Sequence, residues 1–104
     1  MSELLGKWQQ PQGQAFPGLY FEFRAGGSYR AVFEDMGITS SGTFTALDGI
    51  IDMDQTEHTF GLIGRFQGRY TLEGDVLTMT LGDPGGARPE SIEGKNKRLY
   101  KKMA

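Results

Sequence analysis

Hydrophobic and polar residues alternate along most of this chain in short runs, each closed by glycine, proline or aspartate. Leu19-Tyr20-Phe21-Glu22-Phe23-Arg24 places Leu19, Phe21 and Phe23 on one face. Across a Gly26-Gly27 turn, which tolerates positive φ, Ser28 to Asp35 puts Tyr29, Ala31 and Phe33 on the same side. Gly42 to Leu47 and Ile50 to Asp54 flank Asp48-Gly49, a favoured hairpin pair. Such period-two runs predict half-buried strands. No window carries a sustained 3.6-residue stripe, and only Ser2-Glu3-Leu4-Leu5 predicts a helical turn.

The rest of the chain repeats the theme. Gly6 to Gln10 predicts a first strand, followed by an irregular stretch from Pro11 to Gly18. Gly37 and Ser40-Ser41 predict a turn. Phe60 to Phe66 predicts a strand with Phe60, Leu62 and Phe66 on one face, continued by Gly68 to Glu73 through a bend at glycine. Val76 to Leu81 follows Gly74-Asp75 and turns Leu77, Met79 and Leu81 inward. After the Asp83-Pro84-Gly85-Gly86 turn, Ser91-Ile92 and Arg98 to Lys102 supply the last strand or strands. Gly42-Thr43-Phe44-Thr45 to Met53 echoes Gly68-Arg69-Tyr70-Thr71 to Met79, which reads as two hairpins solving one geometric problem. Sequential hairpins without crossover helices predict an all-β antiparallel up-and-down meander of about eight strands in a single domain, residues 1–104. Closing it into a barrel removes its exposed edges.

Composition narrows the function classes. Among 104 residues, 16 are glycine, spread along the chain as turns require. The formal net charge is -2, without the basic face that nucleic-acid binding uses. The cluster Lys95, Lys97, Arg98, Lys101 and Lys102 reads as a solvated last strand. There is no cysteine, which excludes disulfides, thiolate metal sites and Cys nucleophiles. No stretch is apolar enough for a membrane span. Met1-Ser2-Glu3-Leu4-Leu5 lacks the basic start and long apolar run of a secretory leader, so the chain as given reads as cytoplasmic; removal of a leader from a longer precursor stays open.

Trp8, the only tryptophan, stands on the first strand in Gly6-Lys7-Trp8, and Arg98 stands on the last. The two meet only if the sheet curls round and closes. Gly6-x-Trp8 after a short helical turn resembles the first-strand motif of the lipocalin-like (calycin) proteins. Ile51-Asp52-Met53, Gly68-Arg69-Tyr70-Thr71-Leu72-Glu73-Gly74-Asp75-Val76-Leu77 and Arg88-Pro89 resemble, in order, a small bacterial lipocalin-like domain of the type common in planctomycetes. The resemblance implies a lipocalin-like barrel, with Arg98 as the last-strand arginine that packs over Trp8 and closes it.

Little points to catalysis. The serines sit in turn contexts outside any Gly-x-Ser-x-Gly, and no phosphate-binding glycine motif occurs, so the chain reads as a non-enzyme without a cofactor. His58 is the only histidine, and Asp52, Asp54 and Glu57 read as a solvated acidic turn rather than a metal site. Phe21, Phe23, Tyr29, Phe33, Phe44, Phe60, Tyr70 and Met79, with Phe66, are candidates for a barrel interior. They either line a pocket for a small apolar ligand or fill the barrel, leaving a protein-interaction or accessory domain with no small-molecule ligand.

Overall fold

The computed structural model describes residues 4–103. Eight strands run in chain order: β1 (Gly6–Gln9), β2 (Tyr20–Phe23), β3 (Ser28–Phe33), β4 (Ile38–Leu47), β5 (Ile50–His58), β6 (Gly64–Glu73), β7 (Val76–Leu81) and β8 (Lys97–Lys102). Each pairs antiparallel with the next, and β8 returns to β1, so the sheet is a closed up-and-down barrel. The predicted helical turn begins at Ser2 and Glu3, which lie outside the described residues. Among those residues the one complete helical element is a 3₁₀ turn, Glu34–Met36.

The echoed hairpins share one construction. Asp48 and Gly49 both take positive φ, 52° and 81°, which turns β4 into β5 in two residues. Phe44 stands opposite Met53 and, in the second hairpin, Tyr70 opposite Met79. The leading glycine of each is a place of close approach. A Cβ on Gly42 would lie 1.8 Å from the Asp54 carbonyl oxygen, at a register shift between Ser41 and Gly42; one on Gly68 would lie 2.6 Å from that of Thr80. These glycines let the neighbouring strand cross at contact distance, and the β4 irregularity bends the strand round the barrel.

Three sequence expectations need correction. Ser40-Ser41 is strand, because the chain turns earlier, where Gly37 in the left-handed region ends the 3₁₀ turn. Phe60 to Ile63 is loop: β5 runs on to His58, and Gly61 and Gly64, at φ 77° and 143°, break the extended run. Ser91-Ile92 lies in the β7–β8 connection rather than in a strand.

Inward-facing rings fill the barrel. Phe21 stacks on Phe23 at 5.8 Å and on Tyr29 at 6.1 Å, Phe23 meets Phe44 edge-on at 4.8 Å, and Tyr100 meets Phe21 edge-on at 5.6 Å. Such pairs add about 0.5–1.5 kcal/mol beyond the area they bury. Ile51, Met53, Leu77 and Met79 complete the core, and Leu4 packs with Trp8 in the same cluster. Arg88 anchors the long β7–β8 connection. Its guanidinium donates to the Ile51 and Gly68 carbonyls and, at 2.7 Å, to Asp52.

Candidate functional site

Connections in an up-and-down barrel alternate between its two ends. The tight turns β2–β3, β4–β5 and β6–β7 share one end with the termini, here the base. The other four connections share the opposite end, here the mouth. The widest of these segments, Gln10 to Leu19 and Gly82 to Asn96, flank the same side of the mouth. Between them lies an open cup of about 260 Å³. Phe21, Phe66, Met79 and Tyr100 form its floor, Leu19 and Leu81 its wall, and Phe16 its lip. Arg98, Asn96 and Asp83 supply polar groups at the rim.

The lip is latched by a buried amide. Gln10 is 2% exposed. Its Nε2 donates to the Tyr100 hydroxyl at 3.1 Å, and its Oε1 accepts from the Phe16 backbone N–H at 3.0 Å. Gln14 reaches across the seam to accept from the Leu99 N–H at 2.7 Å. Phe16 is thereby held against Phe33 on one side, with rings 6.0 Å apart, and beneath the Arg98 guanidinium at 5.6 Å on the other.

A matching device holds the opposite lip. The Tyr29 hydroxyl donates to Gln55 Oε1, and Gln55 Nε2 donates to the Leu62 carbonyl at 2.6 Å. Each glutamine thus joins a ring inside the barrel to a loop over its mouth. Burial pushes the Tyr100 phenol up to about 12, with the Gln10 bond and the Arg98 charge pulling partly back. Tyr29 is raised further, by burial first and the Asp54 charge second. Both hydroxyls are therefore neutral hydrogen-bonding groups at ordinary pH.

Of the interior candidates, Phe21, Phe23, Tyr29, Phe44 and Met79 are buried, and Phe21 and Met79 face the cup. Phe33 and Tyr70 are half-buried. Phe60 is a correction: it is 72% exposed on the β5–β6 loop and lines nothing inside. Arg98 is a second correction. The register sets Trp8 opposite Lys102, whose Nζ lies 5.0 Å from the Trp8 ring centroid, while Arg98 lies four residues away at the mouth.

Gln10 and Tyr100 were missing from the sequence-based candidates. The signal for Tyr100 was present: Arg98, Tyr100 and Lys102 fall on one face of an alternating strand, and Tyr100 is its one ring. Gln10 carried no comparable signal, since a polar residue at the end of a predicted strand gives no sign of burial.

Asp52 and Asp54 face outward, and Arg65 lies 3.7 Å from each. His58 Nδ1 accepts from the Phe60 N–H. Among the described residues no group of three His, Asp or Glu side chains is placed to hold a metal ion, and no helix is long and apolar enough to cross a membrane. No protein-family model, curated protein or solved structure matches the chain.

Proposed function

We propose that this chain is a lipocalin-like barrel that holds a small, predominantly apolar molecule in the cup at its mouth, and that it acts by binding rather than by catalysis. The observation that carries this reading is the cup itself: about 260 Å³ of ring-lined space under a latched phenylalanine, above an interior packed with side chains. Ligand pockets usually run ~300–1,000 Å³, so a cup just below that range suits a molecule of one or two rings. Phe16, Phe21, Phe66 and Tyr100 offer ring faces and edges to it. Arg98 and Asn96 offer donors at the rim for one polar substituent, which fixes orientation. The Gly6-Lys7-Trp8 motif and the closed eight-strand barrel support the lipocalin-like assignment.

Native mass spectrometry of protein purified from cells, with 8-anilinonaphthalene-1-sulfonate as a fluorescent reporter, tests the reading. A one-to-one organic adduct and saturable reporter binding are expected. Leu81→Trp, which fills the cup, should weaken the reporter about tenfold, or ~1.4 kcal/mol. Ligand-free protein whose reporter signal ignores Leu81→Trp refutes the assignment.

A further inference from the structure

We propose that the corner of the mouth opposite the cup, formed by the β3–β4 turn and the β5–β6 loop, docks a partner protein through a segment of apolar side chains flanked by lysine or arginine. The inference is independent of whether the cup takes a ligand. Six large hydrophobic side chains are exposed among the described residues. Four of them, Met36, Phe60, Leu62 and Ile63, lie on these two connections, at 60%, 72%, 49% and 59% exposure. Scattered exposed apolar residues are ordinary, but four grouped on two adjoining connections mark an interaction surface.

The two connections are tied into one platform. The Thr39 N–H donates to Thr59 Oγ1 at 2.8 Å, and the Thr59 N–H donates to the Thr39 carbonyl at 3.0 Å. Gln55 fixes the Leu62 carbonyl, while the Phe60 and Gly61 N–H groups are both taken by His58. The backbone that displays these side chains is therefore pre-organised, which lowers the ordering cost of binding.

Charge selects the occupant. Residues 59–64 carry no charge, and Glu34 and Asp35 directly precede Met36. Neither is in an ion pair among the described residues. Of the nearest cations along the chain, Arg65 is shared between Asp52 and Asp54, while Arg30 stands beside Glu57 in the hollow below Thr39 and Thr59, and Glu57 accepts from Ser41. An apolar platform edged by two free carboxylates complements an apolar segment with flanking cations. It repels an anionic lipid surface, and it repels the same corner of a second copy of this chain.

The test is an ¹⁵N NMR titration of the full chain with two short amphipathic peptides of identical apolar residues, one lysine-flanked and one glutamate-flanked. The lysine-flanked peptide should shift amides of residues 34–39 and 59–64, and bind about tenfold tighter than the other. Phe60→Ser with Ile63→Ser should weaken it at least as much while leaving the thermal transition in place. Glu34→Lys with Asp35→Lys should reverse the peptide preference. Equal affinity for both peptides, no binding of either, or shifts centred on Phe66 and Tyr100 overturns the proposal. So does a dimer in sedimentation equilibrium that Phe60→Ser with Ile63→Ser dissolves, or binding confined to phosphatidylglycerol vesicles.

Discussion

The Lys102 ammonium sits 5.0 Å from the centroid of the Trp8 ring, across the β1–β8 seam that closes the barrel. It also donates to the Leu5 carbonyl at 3.2 Å. Gly6 makes the approach possible. A Cβ there would lie 3.3 Å from the Lys102 Cε, and its φ of 122° suits glycine alone. The Gly-x-Trp spacing thus has a local cause: the glycine clears the path of the lysine stem, and the tryptophan two residues on receives its head.

Trp8 anchors the base, buried with its Nε1 donating to the Leu4 carbonyl. Trp8→Ala should cost about 3–5 kcal/mol, as large aromatic truncations do. Lys102→Ala should cost about 0.5–1 kcal/mol, as an exposed cation–π contact does. In urea unfolding the double variant should cost less than the sum of the two. Trp8 with Arg98→Ala should be additive, and coupling there instead of at Lys102 contradicts the register.

The Gln10 latch predicts a different pattern. Gln10→Ala strips the buried Tyr100 hydroxyl and the Phe16 N–H of their partner, which should cost about 1–3 kcal/mol. Hydrogen exchange should rise across residues 11–18 and leave β4–β5 unchanged. Uniform loss of protection over the whole barrel would show that Gln10 supports the fold at large rather than the lip.

Alkaline pH should unfold the barrel through its tyrosines. The folded pKa of Tyr100 is raised from 10.0 to about 12, so its contribution is complete below pH 10 and is lost as pH rises through 12. Two units correspond to about 3 kcal/mol. Tyr29 acts in the same direction. Tyrosinate absorbance at 295 nm from these two should rise only as the barrel opens. Tyr100→Phe should flatten the fall in stability above pH 10, and an unchanged slope contradicts the assignment.

The Arg88 clamp is specific to a planar, forked donor. Arg88→Lys should therefore leave the β7–β8 connection nearly as exposed to proteolysis as Arg88→Ala does. Full protection in the lysine variant means that charge alone holds the segment.

Much of this architecture was legible in the chain, because a strand's period of two and a two-residue turn are local properties. Asp48-Gly49 and the paired Gly-x-aromatic-Thr hairpins announced themselves, and the closed meander followed from their order. The seam did not, since register across it depends on where β1 and β8 meet, which no local pattern encodes; Arg98 and Lys102 share a face, and only the register chooses between them. Phe60 failed for a related reason. Its run alternates like a strand, but Gly61 and Gly64 spend their freedom on a loop, and His58 had already ended β5. The cup was less legible still. Its latch joins Gln10 to Tyr100, 90 residues apart.

The most direct test of the binding cup is a crystal structure under xenon pressure, since xenon marks apolar space large enough to hold a ligand. Xenon should enter the cup, between Phe21, Phe66 and Tyr100. Xenon beside Phe23 and Phe44 in the barrel interior, or an unoccupied cup, would contradict it.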